Sequence, residues 1–327
     1  MIISKTPYRI SFFGGGTDYP SWYKENKGQV LSTTIDKYCY ITCRVLPPFH
    51  KHRHRIVYSK IEDVMQISEI QHPSVKACLR FMKIKDGIEI HHDGDLPARS
   101  GLGSSSAFTV GLLKALYALK GHIVSSSQLA ADAIHIEHDM IKENVGAQDQ
   151  VIAAYGGCNV VTFGEKNHLQ VRPLTLSDER MGELQDRLML FYTGIARTAS
   201  DIAGEQIKKT PLRKRELTLM CDMVDHAVEI LNSNASIVNF GRLLHENWKI
   251  KRSLTDRITN TVIDDIYAAG MKSGATGGKI LGAGGGGFML FFAEPAVQPR
   301  IRAALKNLLH VPFKFEYSGS SIIFCKS

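Results

Sequence analysis

The chain has 327 residues, 44% of them hydrophobic, and a formal net charge of +8. That is apolar material enough for two ordinary domains, and no run reaches the about 18 apolar residues of a membrane span. The start, MIISKTPYRISFFGGG, lacks the basic leader, apolar run and small-residue cleavage site of a secretory signal, so a cytoplasmic protein is expected, its positive balance suiting an anionic partner.

The first half reads as strands with helices between them. MIISKTPYRISFF, GQVLSTTIDKYCYITCRVL and RIVYSK have strand character, and the run HKHRHR (His50 to Arg55) between them reads as a solvated loop. DGIEIHHDGDLP alternates Ile88, Ile90 and His92 with polar neighbours, a strand ending at Asp93-Gly94. Phe108, Leu112, Ala115, Leu116 and Leu119 then recur at helical spacing. A second helix is expected over SSQLAADAIHIEHDMIKENV, opened by a capping box of Ser125 and Gln128, with a short strand GGCNVVTF after it.

A boundary falls near residue 175, dividing the chain into 1–175 and 176–327. The second half opens on a buried-type strand, DRLMLFYTG, and carries helices over Arg213 to Asn232, Ile237 to Leu254 and near Val262 to Lys272. It closes with GGKILGAGGGGFMLFF, a helix around Val297 to Leu309, and the strands FKFEYS and SIIFC. Strands and helices without strict alternation make this an α+β chain. The cysteines (Cys39, Cys43, Cys78, Cys158, Cys221, Cys325) are scattered with no CxxC pair, and read as buried free thiols rather than a zinc site.

The segment PARSGLGSSSAF, Pro97 to Phe108, is a glycine turn between a strand and a helix, with Ser104, Ser105 and Ser106 in the first helical turn. Free backbone N–H groups and the helix dipole favour an anion there; an ordinary serine N-cap is the plain alternative. The P-loop pattern fails because no Lys follows Gly103, and the dinucleotide fingerprint fails because Ser106 stands where its third Gly belongs.

Two further glycine stretches accompany it. FFGGGTDYP ends the first strand, either as turn chemistry or as close backbone approach to a ligand with Asp18 accepting from sugar hydroxyls. GAGGGGFML sits between apolar runs as a hairpin with more glycine than a turn needs. Glu137 lies on the border of the buried face of its helix, and Asp149 follows that helix in a segment without Lys or Arg; a wet surface is the plain reading of both acids, and a functional carboxylate without a local ion-pair partner the other.

In this order the three stretches resemble the motifs of the GHMP kinase superfamily: TPYRISFFGGGTDYP the first, LPARSGLGSSSA the second, KILGAGGGGFML the third. Within it, GGGTDYP, ENVGAQDQ, FYTGIARTAS and LHENWKIKRSL resemble the sugar kinases that phosphorylate D-glycero-D-manno-heptose 7-phosphate at C1. The resemblance implies a ribosomal-protein-S5-like N-terminal domain, a ferredoxin-like C-terminal domain, and an active site between them. It implies an ATP- and Mg2+-dependent kinase that makes the 1,7-bisphosphate for surface-polysaccharide precursors.

By the same resemblance, Pro97, Ser100, Gly101, Leu102, Gly103, Ser104, Ser105 and Ser106 would wrap the ATP phosphates. Ser105 and Glu137 would serve Mg2+, Asp149 would be the base, and Arg9 would stand beside it stabilising charge. Gly15, Gly16, Thr17, Asp18, Arg197, Gly284 and Gly285 would meet the sugar phosphate. Arg9 stands where mevalonate kinases have Lys, and Gly-Gly-Gly replaces the Gly-Glu-His of galactokinases, which argues against galactose. Alternatives are another sugar 1-kinase of fucokinase or galactokinase type, and a non-catalytic sugar-phosphate sensor. An RNA-binding module lacks its aromatic-studded basic face, no membrane partner is expected, and a homodimer is left open.

Overall fold

The computed structural model describes residues 1–165, 168–195 and 199–326. The chain opens with β1 (Ile2–Phe13), α1 (Pro20–Tyr23), β2 (Gly28–Val45), β3 (His54–Val57), β4 (Ile61–Val64), α2 (Pro73–Phe81) and β5 (Ile88–Gly94). It continues through α3 (Ser104–Leu119), α4 (Ser126–His135), a π-helical turn Ile136–Met140, α5 (Gln148–Tyr155), β6 (Cys158–Gly164) and β7 (His168–Pro173). Next come α6 (Asp178–Asp186), β8 (Leu188–Tyr192), α7 (Ala199–Lys209), α8 (Lys214–Asn232), α9 (Val238–Ser253) and α10 (Thr261–Lys272). The last elements are β9 (Gly277–Ile280), β10 (Phe288–Phe292), α11 (Gln298–Ala304), β11 (Leu309–His310), β12 (Phe315–Glu316) and β13 (Ser321–Cys325).

Among the described residues the first sheet has nine strands, in the order β13-β1-β2-β5-β3-β4, with β6 and β12 also on β2 and β7 on β6. The length of β2 makes this possible. Its first part pairs β6 from Gly28↔Phe163, its middle pairs β12 at Ile35↔Phe315, and its end pairs β5 from Cys39↔Gly94, all antiparallel. The register between β3 and β5 is parallel. Strands β12 and β13 come from the far end of the chain, so both ends of the sequence meet in one sheet.

From Thr6 onward β1 is buried along its length, because α3, α5, α8 and α9 all pack on it. A strand covered on both faces reads as a continuous apolar run, and PYRISFF does so apart from Arg9 and Ser11, which are reserved for the site. The Ser4 hydroxyl donates to the Gly111 carbonyl at 2.8 Å and ties α3 down across β1.

The second sheet runs β11-β8-β10-β9, all antiparallel. Counted within that sheet the order is fourth, first, third, second, with helices after the first and third strands, which is the ferredoxin-like arrangement. The α+β class and the ferredoxin-like second half expected from the sequence are what the chain adopts. Phe240 of α9 joins the halves: its ring lies 5.5 Å from Phe12, 5.1 Å from Phe13 and 5.9 Å from Phe292. One apolar core therefore spans both sheets and fixes the cleft between them.

Among the described residues five helices went unread in the sequence: α1, α2, α5, α6 and α7. The helix expected through Val145 ends at Met140 in its π-helical turn, and Lys142 takes a left-handed φ of 60° just beyond. The predicted helix from Val297 shrinks to α11, and FKFEYS contributes only two strand residues. Five cysteines are buried and Cys325 is exposed, all free. Among the described residues no helix is long and apolar enough to cross a membrane.

Candidate active site

The glycine turn after β5 leads into α3, whose N-cap is Gly103 in the left-handed region at φ 73°. No side chain caps the helix; Ser104 Oγ instead accepts from the Arg99 N–H at 3.1 Å, inside the turn. The serine N-cap alternative therefore fails, and the first-turn N–H groups stay available to an anion. Gly101, Gly103, Ser104, Ser105 and Ser106 line the cleft, with Ser105 exposed and Ser106 buried. Leu102 and Ser100 are buried beneath the turn, and Pro97 is exposed at its outer end.

The third glycine stretch supports this turn from below. Phe288 N–H donates to the Ser100 carbonyl at 3.2 Å, and a Cβ on Gly287 would lie 2.1 Å from that oxygen, so only glycine lets the backbones touch. Gly282 and Ala283 face the cleft. Gly284 and Gly285, expected against substrate, pack on Ile258, where the Gly285 N–H donates to the Ile258 carbonyl at 2.8 Å.

Arg9, on β1, and Asp149, in the first turn of α5, come together from opposite ends of the first half. Arg9 Nε and Nη2 donate to the two carboxylate oxygens at 2.7 and 2.8 Å, and Nη1 donates to the Gly101 carbonyl at 2.8 Å. The Arg9 N–H also donates to the Leu102 carbonyl at 3.1 Å. One residue thus holds both the glycine turn and the candidate base, the latter in a planar bidentate grip. The sequence showed no ion-pair partner near Asp149; the partner is 140 residues away.

Asp18 is 3% exposed, and its carboxylate accepts from the Gly16 N–H and from the Gln148 side-chain amide, each at 2.9 Å. Burial raises its pKa, with nearby Asp149 adding to the rise and these two hydrogen bonds opposing it. Gly15 and Gly16 line the same part of the cleft. Thr17 does not reach it: fully buried, its hydroxyl is engaged by the Gly14 and Gln29 backbone at 2.8 to 3.0 Å. Arg197 lies outside the described residues.

The π-helical turn after α4 carries Glu137 inward to 2% exposure, a use of such bulges common at functional sites. Its Oε2 accepts from Ser106 Oγ at 2.8 Å and from the Gln150 amide at 2.5 Å, while Oε1 is buried without a partner. The Thr109 hydroxyl beside it donates to the Ser105 carbonyl at 3.3 Å. Burial pushes the Glu137 carboxyl up to about 7, against its hydrogen bonds and with a further push from Asp149. The structure therefore sets Ser106, not Ser105, against Glu137. An orphaned, buried carboxylate oxygen beside the glycine turn is the hard oxygen donor that Mg2+ takes, so these residues fit that ion.

Arg9, Asp18, Glu137, Asp149 and the glycine turn line one cleft of about 1060 Å³ between the two halves. Another of its walls is aromatic, a feature the sequence did not announce because its members come from four separate stretches of chain. His72 stacks on Phe108 at 4.6 Å and meets Tyr58 edge-on at 4.8 Å, and His92 meets Phe108 edge-on at 5.2 Å. Such a volume holds a nucleotide and a small acceptor together.

The family descriptions GHMP kinases N terminal domain and GHMP kinases C terminal match residues 73–157 and 216–311. The D-glycero-alpha-D-manno-heptose 7-phosphate kinase of Campylobacter jejuni is 28% identical over 324 residues, covering 94% of this chain and 93% of that protein. The crystal structure of a D-glycero-D-manno-heptose 1-phosphate kinase from Bacteroides thetaiotaomicron superposes with a TM-score of 0.79 at 24% identity over the whole of both chains. Lactococcus lactis galactokinase, solved with galactose, superposes at 0.72 and 16% identity, covering 98% of this chain and 94% of that one. With both family descriptions matched in order and the bidentate carboxylate beneath the glycine turn, the chain belongs to the GHMP kinases and is a phosphotransferase acting on a hydroxyl acceptor, with ATP as donor.

Proposed function

We propose that the chain transfers the γ-phosphoryl group of ATP to the anomeric C1 hydroxyl of D-glycero-D-manno-heptose 7-phosphate, giving the 1,7-bisphosphate and ADP. The observation that carries the chemistry is Asp149, held by Arg9 beneath the phosphate turn. The likeness to the Campylobacter jejuni enzyme over nearly the full chain supports the choice of acceptor.

Phosphoryl transfer depends on positioning and charge neutralisation more than on covalent help. The first-turn N–H groups of α3, with Gly101 and Gly103, receive the β- and γ-phosphates. The aromatic wall of Tyr58, His72 and Phe108 takes the base of the nucleotide. Asp18 accepts from sugar hydroxyls and, with Gly15 and Gly16, turns the anomeric oxygen toward the phosphorus. Asp149 accepts the proton as that oxygen bonds to phosphorus and the bond to ADP breaks. Glu137, with a hydroxyl of the serine run, would hold Mg2+, which would supply charge neutralisation to the phosphates.

A coupled ADP-release assay over free and phosphorylated sugars tests this reading. Turnover with heptose 7-phosphate is expected. Turnover with galactose, mannose or fucose and none with the heptose phosphate overturns the acceptor assignment.

A further inference from the structure

Asp18 is placed where a carboxylate is hard to keep ionised. It is almost fully buried, and the Asp149 carboxylate of α5 raises its pKa further. Tyr23 of α1 and Lys279 of β9 also interact with it, while Arg9 of β1 is committed to Asp149. A carboxyl in such surroundings drifts toward its protonated form, which gives up an acceptor site and becomes a donor.

Gln148 opposes this drift. It precedes the candidate base by one residue in the first turn of α5 and lines the cleft at 7% exposure. Its Nε2 donates to Asp18 Oδ2 at 2.9 Å, and its Oε1 accepts from the Ser32 hydroxyl at 3.1 Å. Ser32 is fully buried on β2. Its hydroxyl supplies the donor that the buried amide oxygen needs, which frees the amide nitrogen to face Asp18. The reversed amide would set its oxygen against the carboxylate, a contact tolerable only if Asp18 took up a proton.

The main chain completes the frame, since the Ala147 N–H donates to the Asp18 carbonyl at 2.9 Å. Asp18 is therefore tied by backbone and side chain to the two residues just before the base. A neutral amide steadies it without drawing on the Arg9–Asp149 pair.

We infer that Gln148, backed by Ser32, is a positioning residue that keeps Asp18 a hydrogen-bond acceptor aimed at the sugar hydroxyls. The inference deepens the kinase reading and rests on its assignment of Asp18 to the acceptor.

Steady-state kinetics of Gln148→Leu, Ser32→Ala, their double variant and Asp18→Asn, each across pH, test the inference. Gln148→Leu should raise the acceptor KM roughly tenfold or more, the loss of one hydrogen bond to a charged group, while the KM for ATP holds. That bond lowers the Asp18 pKa, so its loss should move the acid limb of kcat/KM for the acceptor to higher pH. Raising the pH should then recover part of the activity. Ser32→Ala should act in the same direction by less, and the double variant should match Gln148→Leu, because Ser32 works only through the amide. A merely structural role would lower the thermal midpoint and leave the pH profile in place.

Folded variants with wild-type acceptor KM and pH profile overturn the inference, as does a KM for ATP that rises equally. Should Gln148→Leu fail to fold, Ser32→Ala and Gln148→Asn, whose shorter amide cannot span Ser32 and Asp18, carry the same measurement. The measurement runs with whichever sugar is turned over. If Asp18→Asn raises the acceptor KM and Gln148→Leu does not, this inference falls and the kinase reading stands. If Asp18→Asn leaves the acceptor KM unchanged, the acceptor role of Asp18 falls and takes this inference with it.

Discussion

Arg9 grips both oxygens of Asp149 at 2.7 and 2.8 Å while its third nitrogen holds the Gly101 carbonyl. The candidate base and the glycine turn are thereby set by one side chain. Asp149→Asn is expected to keep ATP affinity and lower kcat by about 10² or more, the scale of losing a positioned base. Near-wild-type turnover would reduce Asp149 to an orienting role.

Arg9→Lys keeps the charge and loses the planar fork, so one amine cannot span Asp149 and Gly101 together. The expected outcome is a fall in kcat with a smaller change in the KM for ATP. Steady-state kinetics with both substrates varied separates the two parameters, and unchanged kcat would show that charge alone suffices.

Gly146 lies against the Asp18 carboxylate so closely that a Cβ would fall 1.8 Å from Oδ2. Gly146→Ala must push Asp18 off the Gly16 and Gln148 bonds that aim it. A raised KM for the acceptor, with the KM for ATP kept, is expected. The opposite pattern would move Asp18 out of the acceptor site.

The three glycine stretches were legible because each is contiguous and chemically unusual, and they led to Asp18, Glu137 and Asp149. What local pattern could not supply was set by distance or by short local signals. The bond from Arg9 to Asp149 spans 140 residues, and no local charge pattern announces it; the family resemblance alone put Arg9 beside Asp149. Helix α5 has eight residues and an undistinguished apolar face, so Asp149 looked like a loop residue when it opens a helix. Glu137 seemed a border position because a regular 3.6-residue period was assumed, and the π-helical turn rotates it into the interior. Spacing cannot say which of three consecutive hydroxyls turns toward a carboxylate; in the structure it is Ser106.

His72 is packed between Phe108 and Tyr58, and burial lowers its pKa from 6.5 to about 4, with His92 adding to the fall and Glu62 opposing it. Its buried Nδ1 has no partner. Between those values the unfolded chain binds the proton and the folded chain does not, so stability falls as pH drops from 6.5 toward 4 and levels off below. His72→Phe should flatten that part of the acid-stability curve in thermal melts at stepped pH. An unchanged curve would place the acid sensitivity elsewhere.

The last prediction separates the serines around Glu137. Ser106 donates to Glu137 Oε2 at 2.8 Å in the interior, so Ser106→Ala should cost stability by about 1 kcal/mol, the usual worth of a buried hydrogen bond. Ser105 is exposed in the cleft and caps nothing, so Ser105→Ala should leave the thermal midpoint unchanged. If its hydroxyl serves Mg2+ together with Glu137, Ser105→Ala and Glu137→Gln should each raise the Mg2+ concentration needed for half-maximal kcat. The double variant should then cost little more than the worse single one, because groups sharing one ion are non-additive. Additive effects in the Mg2+ titration would mean separate sites. A normal titration for Ser105→Ala alongside a shifted one for Ser106→Ala would transfer the metal role to the serine that already touches Glu137.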